Sequence, residues 1–114
     1  NAARFGVDPD KLVAAGGSAG GHLAASTALV DGFDAADDPK ASCKPNALLL
    51  FNPALNLTML DGRKIPGADG TDVAKAISPT LYLTKNAPPA VIFFGTADAL
   101  LAHGKEYAAK ANEL

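Results

Sequence analysis

The sequence lacks the features that mark several classes of protein. It has 114 residues with one cysteine, no tryptophan and a formal net charge of −2, from 10 basic and 12 acidic side chains. A single cysteine, Cys43, cannot form an intramolecular disulfide, and no Cys/His cluster has zinc-site spacing. Scattered basic residues provide no surface that could neutralise a run of phosphates. We therefore expect no nucleic acid partner, no metal and no cofactor.

Long apolar runs are also absent. The run at residues 47–51 is five residues long, whereas a membrane-spanning helix needs about 20 apolar residues. A hydrophobic content of 48% with 19% charged residues is typical of a globular domain. We expect a single domain over residues 1–114, and because the chain opens on what reads as the tail of a helix, we expect sequence to precede Asn1. No cellular compartment is indicated.

The order of the apolar segments predicts an α/β protein. Three short runs without alternation predict strands buried on both faces of a parallel sheet, at residues 12–15, 47–51 and 90–94. Helices are predicted at residues 1–5, 20–30, 73–77 and 100–114, with Gly6 ending the first. Polar segments at residues 33–46 and 56–72 predict a loop and a loop or lid. This order is typical of a three-layer α/β/α fold with a mostly parallel sheet.

A glycine-rich motif joins the first predicted strand to the helix that follows. Residues 16–21, GGSAGG, fit the pattern G-x-S-x-G, which in this context predicts a nucleophile elbow at Ser18. We expect glycine at Gly16 and Gly20 because the strained turn leaves no room for larger side chains, and Gly17 and Gly21 complete the motif. The N–H of Ala19, at the start of the helix, is placed to donate to an oxyanion. A phosphate-binding loop is the alternative, but neither G-x-G-x-x-G nor a following Lys-Ser or Lys-Thr is present.

A carboxylate follows the third predicted strand. Asp98 would lie at the same carboxyl edge of the sheet as Ser18, where ligand-binding groups of open α/β sheets gather. A serine nucleophile needs a histidine base that is oriented by a carboxylate, and Asp98 is the candidate for that acid. The alternative is that Asp98 only caps a helix.

Neither histidine fits the role of the base. His22 follows the elbow on the same helix, so we predict a supporting or packing role. His103 comes only five residues after Asp98, and we predict a surface histidine there. No upstream His-Gly-Gly loop is present to provide a second oxyanion donor.

A resemblance to the α/β-hydrolase esterases related to hormone-sensitive lipase and to bacterial feruloyl and acetyl esterases is carried by residues 16–24, GGSAGGHLA. ISP at residues 77–79 and APPAVIFFGTAD at residues 87–98 are similar to the family's approach to its acid, and Asp98 matches the catalytic aspartate. The resemblance implies a partial α/β-hydrolase fold and a serine carboxylesterase or lipase. It also implies that the histidine lies beyond Leu114, that the oxyanion loop precedes Asn1, and that this chain alone is inactive.

Three functions remain open at this point. The leading hypothesis is hydrolysis of a small-molecule ester through an acyl-enzyme on Ser18. A serine peptidase of the prolyl-oligopeptidase kind has a similar elbow, and a non-catalytic relative could use the same pocket only to bind a ligand. Because the three strands would be neighbours in the family's larger sheet, we also predict that the isolated chain exposes apolar surface and is poorly stable or self-associates.

Overall fold

The computed structural model describes residues 2–32, 42–60 and 71–114. The chain forms four α-helices and three β-strands within these ranges, in the order α1 (Ala2–Phe5), β1 (Val13–Gly17), α2 (Ala19–Leu29), β2 (Ala47–Phe51), α3 (Thr71–Ala76), β3 (Ala90–Phe93) and α4 (Leu101–Asn112). Short 3-10 turns lie at Leu57–Met59 and Pro79–Tyr82. The predicted loop at residues 33–46 and the predicted excursion at residues 56–72 fall largely outside the described residues.

The three strands form one parallel sheet in the order β1-β2-β3. The prediction of an α/β fold with a parallel sheet is therefore confirmed, and the elements lie within a few residues of their predicted positions. Strand β1 continues further than predicted, into the glycines, because Gly16 pairs with Leu50 and Gly17 pairs with Phe51. The strand thus runs directly to the residue before Ser18.

The sheet is packed on one face. Alternate residues of the strands form this face, and they pack with α2 and with Tyr107 of α4 in one hydrophobic core. The strand residues of that core are Ala14, Leu48, Leu50, Ala90 and Ile92. Small side chains at Ala24, Ala25 and Ala28 let α2 lie close to the sheet.

The opposite face of the sheet is exposed, so the prediction of strands buried on both faces is wrong for the described residues. Val13, Val91 and Phe93 are each more than half exposed, and Phe51 stacks on Phe93 with ring centroids 5.4 Å apart. Unalternating apolar strands are typical of sheets covered on both faces, and here helices cover one face only. Two of the three predicted layers are thus present in residues 2–32, 42–60 and 71–114. The predicted self-association stays a prediction.

Within the ranges that the structure describes, no helix combines the length and the apolar character that a membrane crossing requires.

Candidate active site

Ser18 occupies the sharp turn between β1 and α2. Its backbone has φ 51° and ψ −119°, a conformation that costs a non-glycine residue about 1–3 kcal/mol and persists only where surrounding contacts hold it. The Ser18 N–H donates to the Phe51 carbonyl at 2.9 Å, and the Ser18 carbonyl accepts from the His22 N–H at 3.1 Å. The side chain is exposed and makes no capping bond to α2. The hydroxyl therefore stands above the sheet edge and is available to a reaction partner.

The glycines around Ser18 have different roles. A Cβ at Gly16 would lie 2.4 Å from the carbonyl carbon and oxygen of Gly20, and a Cβ at Gly21 would lie 2.8 Å from Pro53 Cβ. These two positions require glycine because backbone and a proline ring fill the space. A Cβ at Gly20, in contrast, would meet no atom within 4 Å, and one at Gly17 would make ordinary contacts. The steric reason predicted for Gly20 is therefore wrong: its backbone, and not its missing side chain, closes the turn.

Ala19 is the first residue of α2. The first four N–H groups of a helix have no partner within it, and the helix dipole favours negative charge near them. The Ala19 N–H therefore has the position of an oxyanion donor next to the Ser18 hydroxyl. Its use in that role stays a prediction.

Asp98 lies in the turn that leads from β3 into α4. One carboxylate oxygen, Oδ1, accepts the Leu100 N–H at 2.7 Å, and the Asp98 carbonyl accepts the Leu101 N–H at 3.1 Å. The Oδ1 bond stabilises the turn before α4, whereas the N-cap residue of this helix is Leu100 and no side chain caps it. The same bond fixes the orientation of the half-buried carboxylate and leaves Oδ2 for a second partner. The turn role and the acid role are therefore compatible.

Ser18 and Asp98 lie at the same edge of the sheet. Ser18 follows β1 directly, and Asp98 comes five residues after the end of β3, with β2 between them. Neighbouring strands lie about 4.8 Å apart, so β1 and β3 are separated by roughly 10 Å. The parallel sheet therefore brings the two predicted residues to the same edge, and their use as a catalytic pair stays a prediction.

His22 lies one turn into α2. Its Nε2 lies 2.6 Å from the Ile77 carbonyl, so the ring donates through Nε2 and ties α2 to the residue after α3. This contact agrees with the predicted packing role.

His103 is buried, and the prediction of a surface histidine is wrong. Only 2% of the residue is exposed, and its Nδ1 accepts the Asn56 N–H at 3.0 Å. Burial lowers the pKa of His103, and the nearby Glu106 carboxylate opposes that shift more weakly. An acceptor at Nδ1 requires the neutral ring with its proton on Nε2. His103 is therefore committed to a structural bond in the described chain.

The sequence reasoning missed the polar cluster to which His103 belongs. Asn56, 3% exposed, donates from Nδ2 to both carboxylate oxygens of Glu106 at 2.9 and 3.0 Å. Its Oδ1 accepts from the backbone and the hydroxyl of Thr58, and Ser78 Oγ accepts the Leu57 N–H at 2.8 Å. Two signals were available: a polar residue inside the apolar stretch at residues 54–57, and a histidine at helical spacing from Tyr107.

No group of three His, Cys, Asp or Glu side chains in the described part of the chain could hold a metal ion. The described sheet edge carries an exposed serine at a strained turn, the first N–H of α2 and a half-buried carboxylate.

The chain matches one protein family and is similar to a known esterase. The BD-FAE family matches residues 1–111. Esterase LipQ of Mycobacterium tuberculosis (strain ATCC 25618 / H37Rv) is 31% identical over 119 residues, which cover 89% of this chain and 28% of LipQ.

Solved structures show the same similarity. Thermogutta terrifontis esterase 2 phosphorylated by paraoxon is 40% identical with a TM-score of 0.82, covering 98% of this chain and 41% of the esterase. Est2 from the same species with butyrate bound is 38% identical with a TM-score of 0.80. The match covers 98% of this chain and 45% of Est2. The chain therefore spans less than half the length of these relatives.

Proposed function

The chain belongs to the BD-FAE family of esterase-type α/β-hydrolases, and on that premise we propose that the protein hydrolyses carboxylic esters through an acyl-enzyme on Ser18. The observation that carries the proposal is the Ser18 backbone at φ 51°, which leaves the hydroxyl exposed beside the first N–H of α2. Strained backbone of this kind clusters at active sites, which supports a functional role for the Ser18 hydroxyl.

In the proposed mechanism the Ser18 hydroxyl attacks the ester carbonyl carbon, and its proton passes to a histidine. The Ala19 N–H stabilises the oxyanion of the tetrahedral intermediate. The histidine then protonates the departing alcohol, and water cleaves the acyl-enzyme to release the acid. Asp98 holds the histidine in the correct tautomer and stabilises the imidazolium through its Oδ2.

The base is proposed to lie outside this chain. His22 donates to the Ile77 carbonyl and His103 accepts from the Asn56 N–H, so both rings already have structural partners. The second oxyanion donor is likewise assigned to sequence outside residues 1–114. A single α/β-hydrolase domain that includes residues 1–114 is therefore the proposed unit of activity.

The proposed substrates are esters with short acyl groups. Support comes from the similarity to an esterase whose solved structures include a butyrate-bound form. The same esterase is phosphorylated by paraoxon, which makes paraoxon a suitable covalent probe for this protein.

The test uses the complete gene product that contains this chain. We expect hydrolysis of p-nitrophenyl butyrate, stoichiometric inhibition by paraoxon and a phosphorylated peptide with the adduct on Ser18 by mass spectrometry. Ser18→Ala should lower kcat by a factor on the order of 10⁴ or more. Ser26→Ala is the matched control, because it removes from the same helix a hydroxyl that donates only to the His22 carbonyl.

Other results would decide for the alternatives. Cleavage of a prolyl amide without ester hydrolysis would identify a peptidase of the prolyl-oligopeptidase kind. Failure of paraoxon and of a fluorophosphonate to label Ser18 in a folded protein would indicate a relative that only binds its ligand.

A further inference from the structure

We propose that Asn56 and His103 are positioning residues that hold the turn of Asp98 at a fixed distance from Ser18. This inference rests on the proposed function and adds to it a buried contact between Asn56, which is distant in sequence from both Ser18 and Asp98, and the first turns of α4. The connection between them is the chain segment at residues 52–56, which follows β2 and is called here the bridge segment.

One end of the bridge segment is attached to the elbow. The Ala54 N–H donates to the Ser18 carbonyl at 3.4 Å, and Pro53 occupies the space that a side chain at Gly21 would need. The Asn52 N–H donates to the Phe93 carbonyl at 2.7 Å, so the bridge segment also extends the pairing between β2 and β3. Movement of residues 52–54 would therefore displace the backbone of the nucleophile.

The other end of the bridge segment is attached to α4. The Asn56 N–H donates to His103 Nδ1, and the Asn56 side chain donates to both oxygens of Glu106 one turn further along the helix. These hydrogen bonds join buried or half-buried groups, and one of the groups is charged. Removing one partner of such a bond costs more stability than removing an exposed one, because the other partner stays buried without a hydrogen bond. The bridge segment and the start of α4 therefore move together.

His103 is close to Asp98 through the backbone of α4. The His103 N–H donates to the Leu100 carbonyl at 3.0 Å, and the Leu100 N–H donates to Asp98 Oδ1 at 2.7 Å. A shift of His103 is thus passed on to the acid through two bonds. The continuous path runs from Ser18 through Ala54, Asn56 and His103 to Asp98.

The test is His103→Leu in the complete gene product, with p-nitrophenyl butyrate as substrate. Without the Nδ1 acceptor, the buried Asn56 N–H has no partner and the first turn of α4 moves away. We expect kcat to fall about 10- to 100-fold, the loss that a misplacement of about 1 Å produces, with KM changed less than about twofold. His103→Asn should restore most of kcat, because its Oδ1 takes the place of Nδ1 as acceptor.

Lys110→Met is the matched control. Lys110 ties the same helix to the Thr80 and Leu81 carbonyls at 2.9 Å each, but at the end distant from Asp98. The Lys110→Met substitution should lower the melting temperature and leave kcat unchanged at temperatures where the protein is folded. Equal losses of kcat in both variants would show that α4 acts only through general stability, and an unchanged kcat in His103→Leu would also overturn the proposal.

A second variant decides the matter if His103→Leu does not fold. Glu106→Ala removes the acceptor of Asn56 Nδ2 from the half-buried side of α4, and we expect kcat to fall about 3- to 10-fold; no loss would overturn the proposal. An inactive unsubstituted protein would contradict the proposed function, and the positioning role with it. An active protein that is indifferent to both variants would contradict only the positioning role.

Discussion

Two junctions at the carboxyl edge of the sheet each join a strand to a helix, and they are built in different ways. The junction between β1 and α2 is a one-residue turn at Ser18, where backbone and the Pro53 ring pack into the space left by the missing side chains of Gly16 and Gly21. The junction between β3 and α4 is a longer turn around Asp98, and the helix after it is tied by side-chain hydrogen bonds to the bridge segment.

The difference shows where each part of the site is encoded. The elbow is recognisable from a short motif at residues 16–21, although its turn is also held by hydrogen bonds to Phe51 and Ala54. The acid side depends on Asn56 and His103, which are 47 residues apart, and on the bridge segment that contains Asn56.

Among the variants that compare the two junctions, the largest effect is expected from a substitution that removes the charge of Asp98 and keeps its turn. In Asp98→Asn the side-chain oxygen still accepts the Leu100 N–H, so the fold should be unchanged, but the amide cannot stabilise an imidazolium. We expect kcat to fall about 10³- to 10⁴-fold with an unchanged melting temperature. A variant that keeps full activity would leave Asp98 with the turn-stabilising role alone.

The next largest effect is expected from a substitution that disrupts the elbow junction. Gly16→Ala places a methyl group against the Gly20 carbonyl, which is backbone and cannot move away, so the free energy of unfolding should fall by about 3 kcal/mol or more. Gly20→Ala is the matched control, because its methyl group points into open space. Alanine reduces the conformational entropy of the unfolded chain, so this substitution should raise the free energy of unfolding by about 0.5–1 kcal/mol. Urea denaturation measures both, and equal destabilisation would refute the steric account.

The smallest effect concerns pH. Burial lowers the pKa of His103 below its ordinary 6.5 despite the neighbouring Glu106, so below that pH the unfolded chain binds a proton that the folded chain does not. Stability is therefore lost as the pH falls from about 7 towards 5, by at most about 1.4 kcal/mol per pH unit from this group.

His103→Asn keeps the acceptor and cannot titrate, so its free energy of unfolding should depend less on pH between 7 and 5. The comparison at pH 8, where His103 is neutral in both states, gives the reference difference between the two proteins. Parallel loss of stability in the two proteins on acidification would show that His103 is not the group responsible.

The strands, the helices and the elbow were predictable because each depends on local patterns. Apolar runs of four or five residues predicted the three strands, and GGSAGG after the first of these runs predicted the turn at Ser18. The role of Gly20 and the burial of His103 were not predictable in this way. A steric requirement depends on which atoms pack against a residue, and the burial of a histidine depends on a partner elsewhere in the chain.

The sequence by itself determined that the chain is an α/β protein with a serine at a strand-to-helix turn and a carboxylate after a later strand. These features follow from hydrophobic periodicity and from the conformational freedom of glycine, which act over a few residues. Only the tertiary structure decided that one face of the sheet is packed, that His103 is buried and neutral, and that residues 52–56 link the two junctions. Burial and hydrogen bonding between distant residues exist only once the chain has folded, because they require groups that the sequence does not place next to each other.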